Sequence, residues 1–184
     1  HNVELSGTYD GVSIVGASIT QNPGVATHFE VTISTRTLVA GQSLVATAQL
    51  KDQFENDVPD AGRTVNWGSS GNNGSWTNVV TTDSSGSATA TYTTDTTMAN
   101  GQNVSASWTA GSTSPSVQAT SPNIDTIAGA AHHVVATASI TQSAVVGTAV
   151  STVPQVEVQD VNDNPVAGIP VSFVVTQGGG TVTI

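Results

Sequence analysis

One stretch of this chain occurs twice, and the interval between the copies limits what the polypeptide can fold into. GVATHFEVT (Gly24 to Thr32) returns about 105 residues later as GAAHHVVAT (Gly129 to Thr137), with Gly24 matching Gly129 and His28 matching His133. LKDQFENDVPDAGRTVNW (Leu50 to Trp67) returns as VQDVNDNPVAGIPVSF (Val158 to Phe173) once a short insertion at Pro59-Asp60 is allowed in the first copy. Asp52 then faces Asp160, Gly62 faces Gly168, Val65 faces Val171 and Trp67 faces Phe173. Asn2 to Ser13 runs parallel to Asn103 to Ser114, so the period is roughly 100 to 106 residues. The register divides the chain into residues 1–24, the closing strands of a preceding unit; residues 25–127, a complete unit; and residues 128–184, the opening part of a following one. Asn22-Pro23-Gly24 and the stretch from Ser121 to Gly129 carry the Pro, Gly and Asn that interrupt strands, as linkers should. Partial units cannot bury their own cores, so neighbouring repeats, in the same chain or an adjacent one, are the expected partners.

Within the complete unit, apolar residues recur at every second position, the mark of half-buried strands. Phe29, Val31 and Ile33 share one face, as do Leu44, Ala46, Ala48 and Leu50; Val65 and Trp67; Ala88, Ala90 and Tyr92; and Val104, Ala106 and Trp108. Turn signals separate them at Ala40-Gly41, Asp52 to Asp60, Gly68 to Gly74, Ser84-Ser85-Gly86 and Asn100-Gly101, the last reading as a two-residue hairpin. Ser and Thr make up about a quarter of the chain and strong helix formers are scarce, which agrees with an all-β fold. Some seven short strands at such spacings predict a sandwich of two sheets over one core.

These residues also carry a family resemblance. AGQSLVATAQLKDQFENDVPDAGRTVNW followed by TTDSSGSATATYTT, and VEVQDVNDNPVAGIPVSFVVTQGGGTV in the next copy, resemble the bacterial immunoglobulin-like repeats of intimin and invasin stalks. In that family an alternating strand leads into an Asp-x-x-x-Asn-x-x-Val turn, then Gly, then a V-x-F strand, and later a T-D-x-x-G-x-A-x-A strand. The resemblance implies tandem immunoglobulin-like β-sandwich repeats, an extracellular or cell-surface location, and a spacer or adhesive role presenting a distal binding region. Trp67 departs from the Phe usual in the family.

Charge narrows the partners. Three Lys+Arg against 13 Asp+Glu give a net charge of −10, which repels phosphate backbones and anionic lipid, so neither nucleic acid nor membrane is expected. There is no cysteine to serve as nucleophile or disulfide. No Gly-x-Ser-x-Gly, phosphate loop or His-Glu-x-x-His occurs, and enzymatic activity is not expected.

Two constellations invite a ligand. DVNDN, Asp160 to Asn164, matches the calcium-binding linker motif of cadherins, and Asp160, Asn162 and Asp163 would supply oxygens to a calcium ion. The same residues fit a turn capped by its own Asp and Asn, which the match to Asp52–Asn56 favours. Trp76 lies in a Gly/Ser/Asn-rich stretch read as a loop, where an exposed indole could contact a glycan or a host receptor; folding back over the core is the competing reading. The acidic run Asp52, Glu55, Asp57 and Asp60, flanked by Lys51 and Arg63, reads as a solvated loop. His132 and His133 should point to opposite faces of a strand and so not chelate one metal. Alternatives to the stalk are a filament subunit assembled by strand exchange, a phage or virion appendage, and a glycan-binding module.

Overall fold

The structure, a computed structural model, describes residues 2–71, 73–77, 80–108 and 117–182. Fourteen strands are assigned among them: β1 (Asn2–Tyr9), β2 (Val12–Thr20), β3 (His28–Ile33), β4 (Thr37–Val39), β5 (Ser43–Lys51), β6 (Thr64–Ser69), β7 (Ser75–Thr77), β8 (Val80–Thr81), β9 (Ser87–Thr93), β10 (Val104–Trp108), β11 (Val117–Thr120), β12 (Asp125–Ile127), β13 (His133–Ala136) and β14 (Val156–Gln159). Among the described residues no helix is long and apolar enough to cross a membrane. Residues 109–114, part of the segment parallel to Asn2–Ser13, lie outside the described ones.

Alternation sets the pairing. β5 and β9 place small residues opposite one another, Ala46 against Ala90 and Ala48 against Ala88, and β3 flanks β5 with Phe29 opposite Leu50. The resulting sheet runs β3-β5-β9-β7, and a second runs β11-β10-β6-β8. This is the two-sheet order of an immunoglobulin-like sandwich. Both sheets feed one core: Phe29, Leu44, Leu50 and Tyr92 from the first, and Val65, Val104 and Ala106 from the second, with Ile124 beyond β11. β12 lies parallel to β4. β1 and β2 form an antiparallel hairpin, and β13 pairs with β14.

Three local expectations need correction. Asn100-Gly101 makes no hairpin, because β9 and β10 belong to different sheets and the segment between them crosses the sandwich. Gly101 still needs its positive φ of 69°, and its amide is held by Asp125 Oδ1 at 2.8 Å. Trp76 lies on strand β7, not in a loop, since the free edge of β9 pairs it directly with Tyr92. Val171–Phe173 form no strand: the strands that flank β6 in the sandwich, β8 and β10, have no counterparts among residues 129–182.

Gly86 is where conformational freedom is required. Its φ is +80°, and a Cβ there would sit 1.9 Å from the carbonyl oxygen of Val58. The turn before it is drawn tight by Asp83, whose Oδ1 accepts from the Ser85 amide at 2.8 Å, the Ser85 hydroxyl at 2.6 Å and the Ser87 amide at 3.1 Å.

Candidate functional site

An aspartate that ends a strand and turns inward has two oxygens to satisfy, and the Asp-x-x-x-Asn spacing brings donors to both. Asp52 follows β5 and is 1% exposed. Its Oδ1 accepts from the amides of Phe54 at 2.8 Å and Asn56 at 3.0 Å. Its Oδ2 accepts from the amide of Gly24 at 2.8 Å, a residue of the linker preceding β3, and Asn56 Nδ2 donates to both oxygens at 3.2 and 3.1 Å. The turn thus staples the linker to the end of β5.

Asp160 repeats this after β14, also at 1% exposure. Its Oδ1 accepts from Asn162 N at 2.8 Å and Asn164 N at 2.9 Å, its Oδ2 accepts from Gly129 N at 2.8 Å, and Asn164 Nδ2 donates to both at 3.3 and 3.0 Å. Val58 N to Leu50 O at 2.9 Å and Val166 N to Val158 O at 2.8 Å continue the match, as do the positive φ values of Glu55 (64°) and Asp163 (65°). The Gly24 amide, with Asn56 and Phe54, holds the Asp52 carboxyl down at about 2 against the opposing effect of burial. Burial pushes Asp160 up, but the amide of Gly129, with Asn164 and Asn162, outweighs it and brings this carboxyl to about 2 as well.

The copies differ in what lies above them. Asn164 Nδ2 donates to the carbonyl of Thr96 at 2.7 Å, and Asn164 Oδ1 accepts from the amide of Met98 at 3.0 Å. Both belong to the segment between β9 and β10 of the sandwich. Thr126 Oγ1 braces that segment, accepting from Ala99 N at 2.7 Å and donating to Ala99 O at 3.1 Å. The carboxamide of the second turn therefore grips the backbone between β9 and β10, and Asn164 is 4% exposed. Asn56 is exposed and borders an open cleft of about 660 Å³ lined by Gln21 to Gly24, Asp52, Phe54, Asn56 and Asp57.

The acidic residues around Asp52 are dispersed among cations. Lys51 Nζ reaches Asp57 at 2.8 Å and Glu30 at 3.2 Å, and Asp57 above all raises the lysine's pKa. Arg63 Nε donates to Asp60 at 2.8 Å while its guanidinium lies 4.9 Å from the Trp108 ring centre. His28 and His133 sit alike, His28 Nε2 3.3 Å from Glu55 and His133 Nε2 3.2 Å from Asp163.

Of the residues read as calcium ligands, Asp160 directs both oxygens at N–H donors, whereas Asp163 points outward beside His133 with its side chain 78% exposed. Among the described residues no three His, Asp or Glu side chains converge as a metal site. His132 precedes β13 and so escapes its alternation; contrary to expectation, its ring meets that of His133 edge-on, with Nδ1 atoms 3.3 Å apart. Trp76 stacks on Trp67 of the opposite sheet at 5.1 Å and meets Tyr92 at a tilt at 4.8 Å, partly buried against the core. Reasoning on sequence alone missed the grip on Thr96 and Met98, because nothing in MAN or TTM marks a backbone that a remote side chain will grasp.

No protein-family profile and no curated protein matches this sequence. Solved structures do match. InvD of Yersinia pseudotuberculosis aligns with a TM-score of 0.50 at 17% identity, over 85% of this chain and 49% of that one. FdeC, an Escherichia coli adhesin, gives 0.47 at 20% identity over 86% and 50%. The D0-D1 domains of intimin give 0.43 at 21% identity over 62% and 52%. The chain spans about half the length of each. The likeness to InvD is one of fold, and the immunoglobulin-like sandwich implied by the intimin and invasin resemblance is the fold this chain has.

Proposed function

We propose that this chain is a spacer segment of a bacterial surface protein, built of tandem immunoglobulin-like units that hold a distal binding region away from the cell. Its working part is the joint between units, and it performs no chemistry. The unit boundaries are those of the repeat, residues 1–24, 25–127 and 128–184. The observation that carries this reading is the double hydrogen bond from Asn164 to Thr96 and Met98. A linker alone lets neighbouring domains swivel. Fastening the Asp160 turn to the linker at Gly129 and to the preceding sandwich at Thr96 gives two anchors, and two anchors resist bending. A stalk needs that stiffness, whereas an enzyme or a lectin domain does not. The scarcity of cations and the exposed polar strand faces suit an array that must stay soluble beside its copies.

The test uses the absence of native cysteine. Spin labels at Thr89→Cys on β9 and Ala136→Cys on β13 report the separation of the two units. A narrow distance distribution that broadens in Asn164→Ala is expected. A distribution already broad in the parent chain would remove the rigid-spacer reading, and a specific glycan signal abolished by Trp76→Phe would replace it with a binding module.

A further inference from the structure

The two Asp-Asn turns pose a question that only one of them answers. Each carboxamide offers the same groups: Nδ2 spends one hydrogen on its aspartate, leaving the second hydrogen and Oδ1 facing away from the turn. At Asn164 these remaining groups are taken by Thr96 O and Met98 N. At Asn56 the Nδ2 bonds go to Asp52, and no partner for Oδ1 is recorded among the described residues. The cleft beside it has as walls the linker Gln21 to Gly24 and the turn residues Phe54, Asn56 and Asp57. By the repeat register those linker residues correspond to Thr126 through Gly129, which flank the filled joint. Gly129 there lies where a Cβ would be 3.6 Å from Val39 of the sandwich, so the second joint is closed by the preceding unit.

We infer that the cleft at Asn56 is the receiving half of the same joint, and that its occupant is the loop of a preceding immunoglobulin-like unit corresponding to Thr96–Met98. The occupant is defined by its chemistry: a backbone carbonyl and, two residues on, a backbone amide, offered together by the crossover between two sheets. Asn56 Nδ2 donates to the carbonyl and Asn56 Oδ1 accepts from the amide. The β1–β2 hairpin, tied through the Gln21–Gly24 linker to Asp52, is on this reading the part of that unit adjoining the cleft. The inference rests on the tandem reading and deepens it, because it assigns each unit a donor loop at one end and an acceptor turn at the other. Joints of one kind would then repeat along the array, each with the same angle.

The test extends the chain by one unit, placing a second copy of residues 24–102 directly ahead of Asn2, where the repeat register joins Gln102 to its natural successor. Hydrogen exchange of the Asn56 side-chain carboxamide, with Asn164 as internal standard, is followed by NMR in the parent and extended chains. Exchange at Asn56 is expected to slow by about tenfold or more on extension, with the added copy's Met98 amide becoming protected too and losing that protection in Asn56→Ala. If the added copy folds, its core amides being protected, while Asn56 exchanges as in the parent, the joint is wrong and the tandem reading survives. If the added copy does not fold on the β1–β2 hairpin, the tandem reading fails and this inference with it.

Discussion

The carbonyl oxygen of Thr96 lies 2.7 Å from Nδ2 of Asn164, and the intervening chain includes all of β10, β11, β12, β13 and β14. The bond closes a long loop, and its partner, Met98 N to Asn164 Oδ1, holds the same carboxamide from its other side. Asn164→Ala removes both, leaving a carbonyl and an amide near the joint without partners, at a cost of about 1–2 kcal/mol. Hydrogen exchange at the Met98 amide should therefore accelerate by about tenfold. Asn56→Ala, the same change in the first copy, should leave Met98 exchange as it is. Equal acceleration by both variants would mean that the joint does not hold this loop.

Acid should weaken the fold through the paired aspartates. Asp52 and Asp160 are each held at about 2 in the folded chain, whereas an unfolded aspartate titrates near about 3.9. The folded state binds fewer protons than the unfolded state between those values, so stability rises with pH there. The contribution is complete above about pH 5 and drains away as pH falls toward about 2. Asp83, lowered by the Ser85 hydroxyl and the Ser87 and Ser85 amides, works in the same direction. Urea midpoints should be level from neutrality to about pH 5 and then decline. Asp52→Asn with Asp160→Asn should be less stable at neutral pH and show a shallower acid limb; an unchanged limb would clear these two carboxyls of responsibility.

Two glycines with nearly equal φ should respond differently to alanine. Gly62 has φ +79° with nothing within 4 Å of a built Cβ, so Gly62→Ala meets only the left-handed penalty of about 1 kcal/mol. Gly86 has φ +80° and the Val58 carbonyl at 1.9 Å from that Cβ, so Gly86→Ala must also push the Val58–Asp60 segment away. A loss of more than about 2 kcal/mol is expected there. Urea denaturation of both variants measures the difference, and a Gly86→Ala as stable as Gly62→Ala would contradict the close approach.

The sandwich was legible because its strands announce themselves. Phe29, Val31, Leu44, Leu50, Tyr92, Val65 and Val104 fall on the faces that alternation assigns, and all are buried. The self-capped turn was legible too, since an Asp caps the amides of its own turn and an Asn four residues on bonds back to its carboxylate. Features that depend on remote partners were not. Ser75–Thr77 is too short to alternate, and only the exposed edge of β9 makes a strand of it. Asn100-Gly101 has a hairpin's local preference, yet β10 pairs with β6 and β11, so tertiary pairing overrides the turn signal. The grip of Asn164 on Thr96 is a backbone interaction on the receiving side, which leaves no side-chain signature.

Trp76 separates packing from recognition by its own chemistry. The ring packs between neighbours on both sheets, stacked on Trp67 at 5.1 Å and tilted against Tyr92 at 4.8 Å, and its Nε1 is buried with no hydrogen-bond partner among the described residues. Truncation to alanine removes both aromatic contacts and opens a void between β6 and β7, which should cost about 2–4 kcal/mol for a partly buried tryptophan. Trp76→Phe keeps an aromatic face against both neighbours and discards an indole N–H that satisfies nothing, so its cost should stay below about 1.5 kcal/mol. Thermal and urea unfolding of the pair gives the comparison. If packing is the role of Trp76, alanine is severe and phenylalanine mild; two variants of parental stability would instead free the indole for a partner.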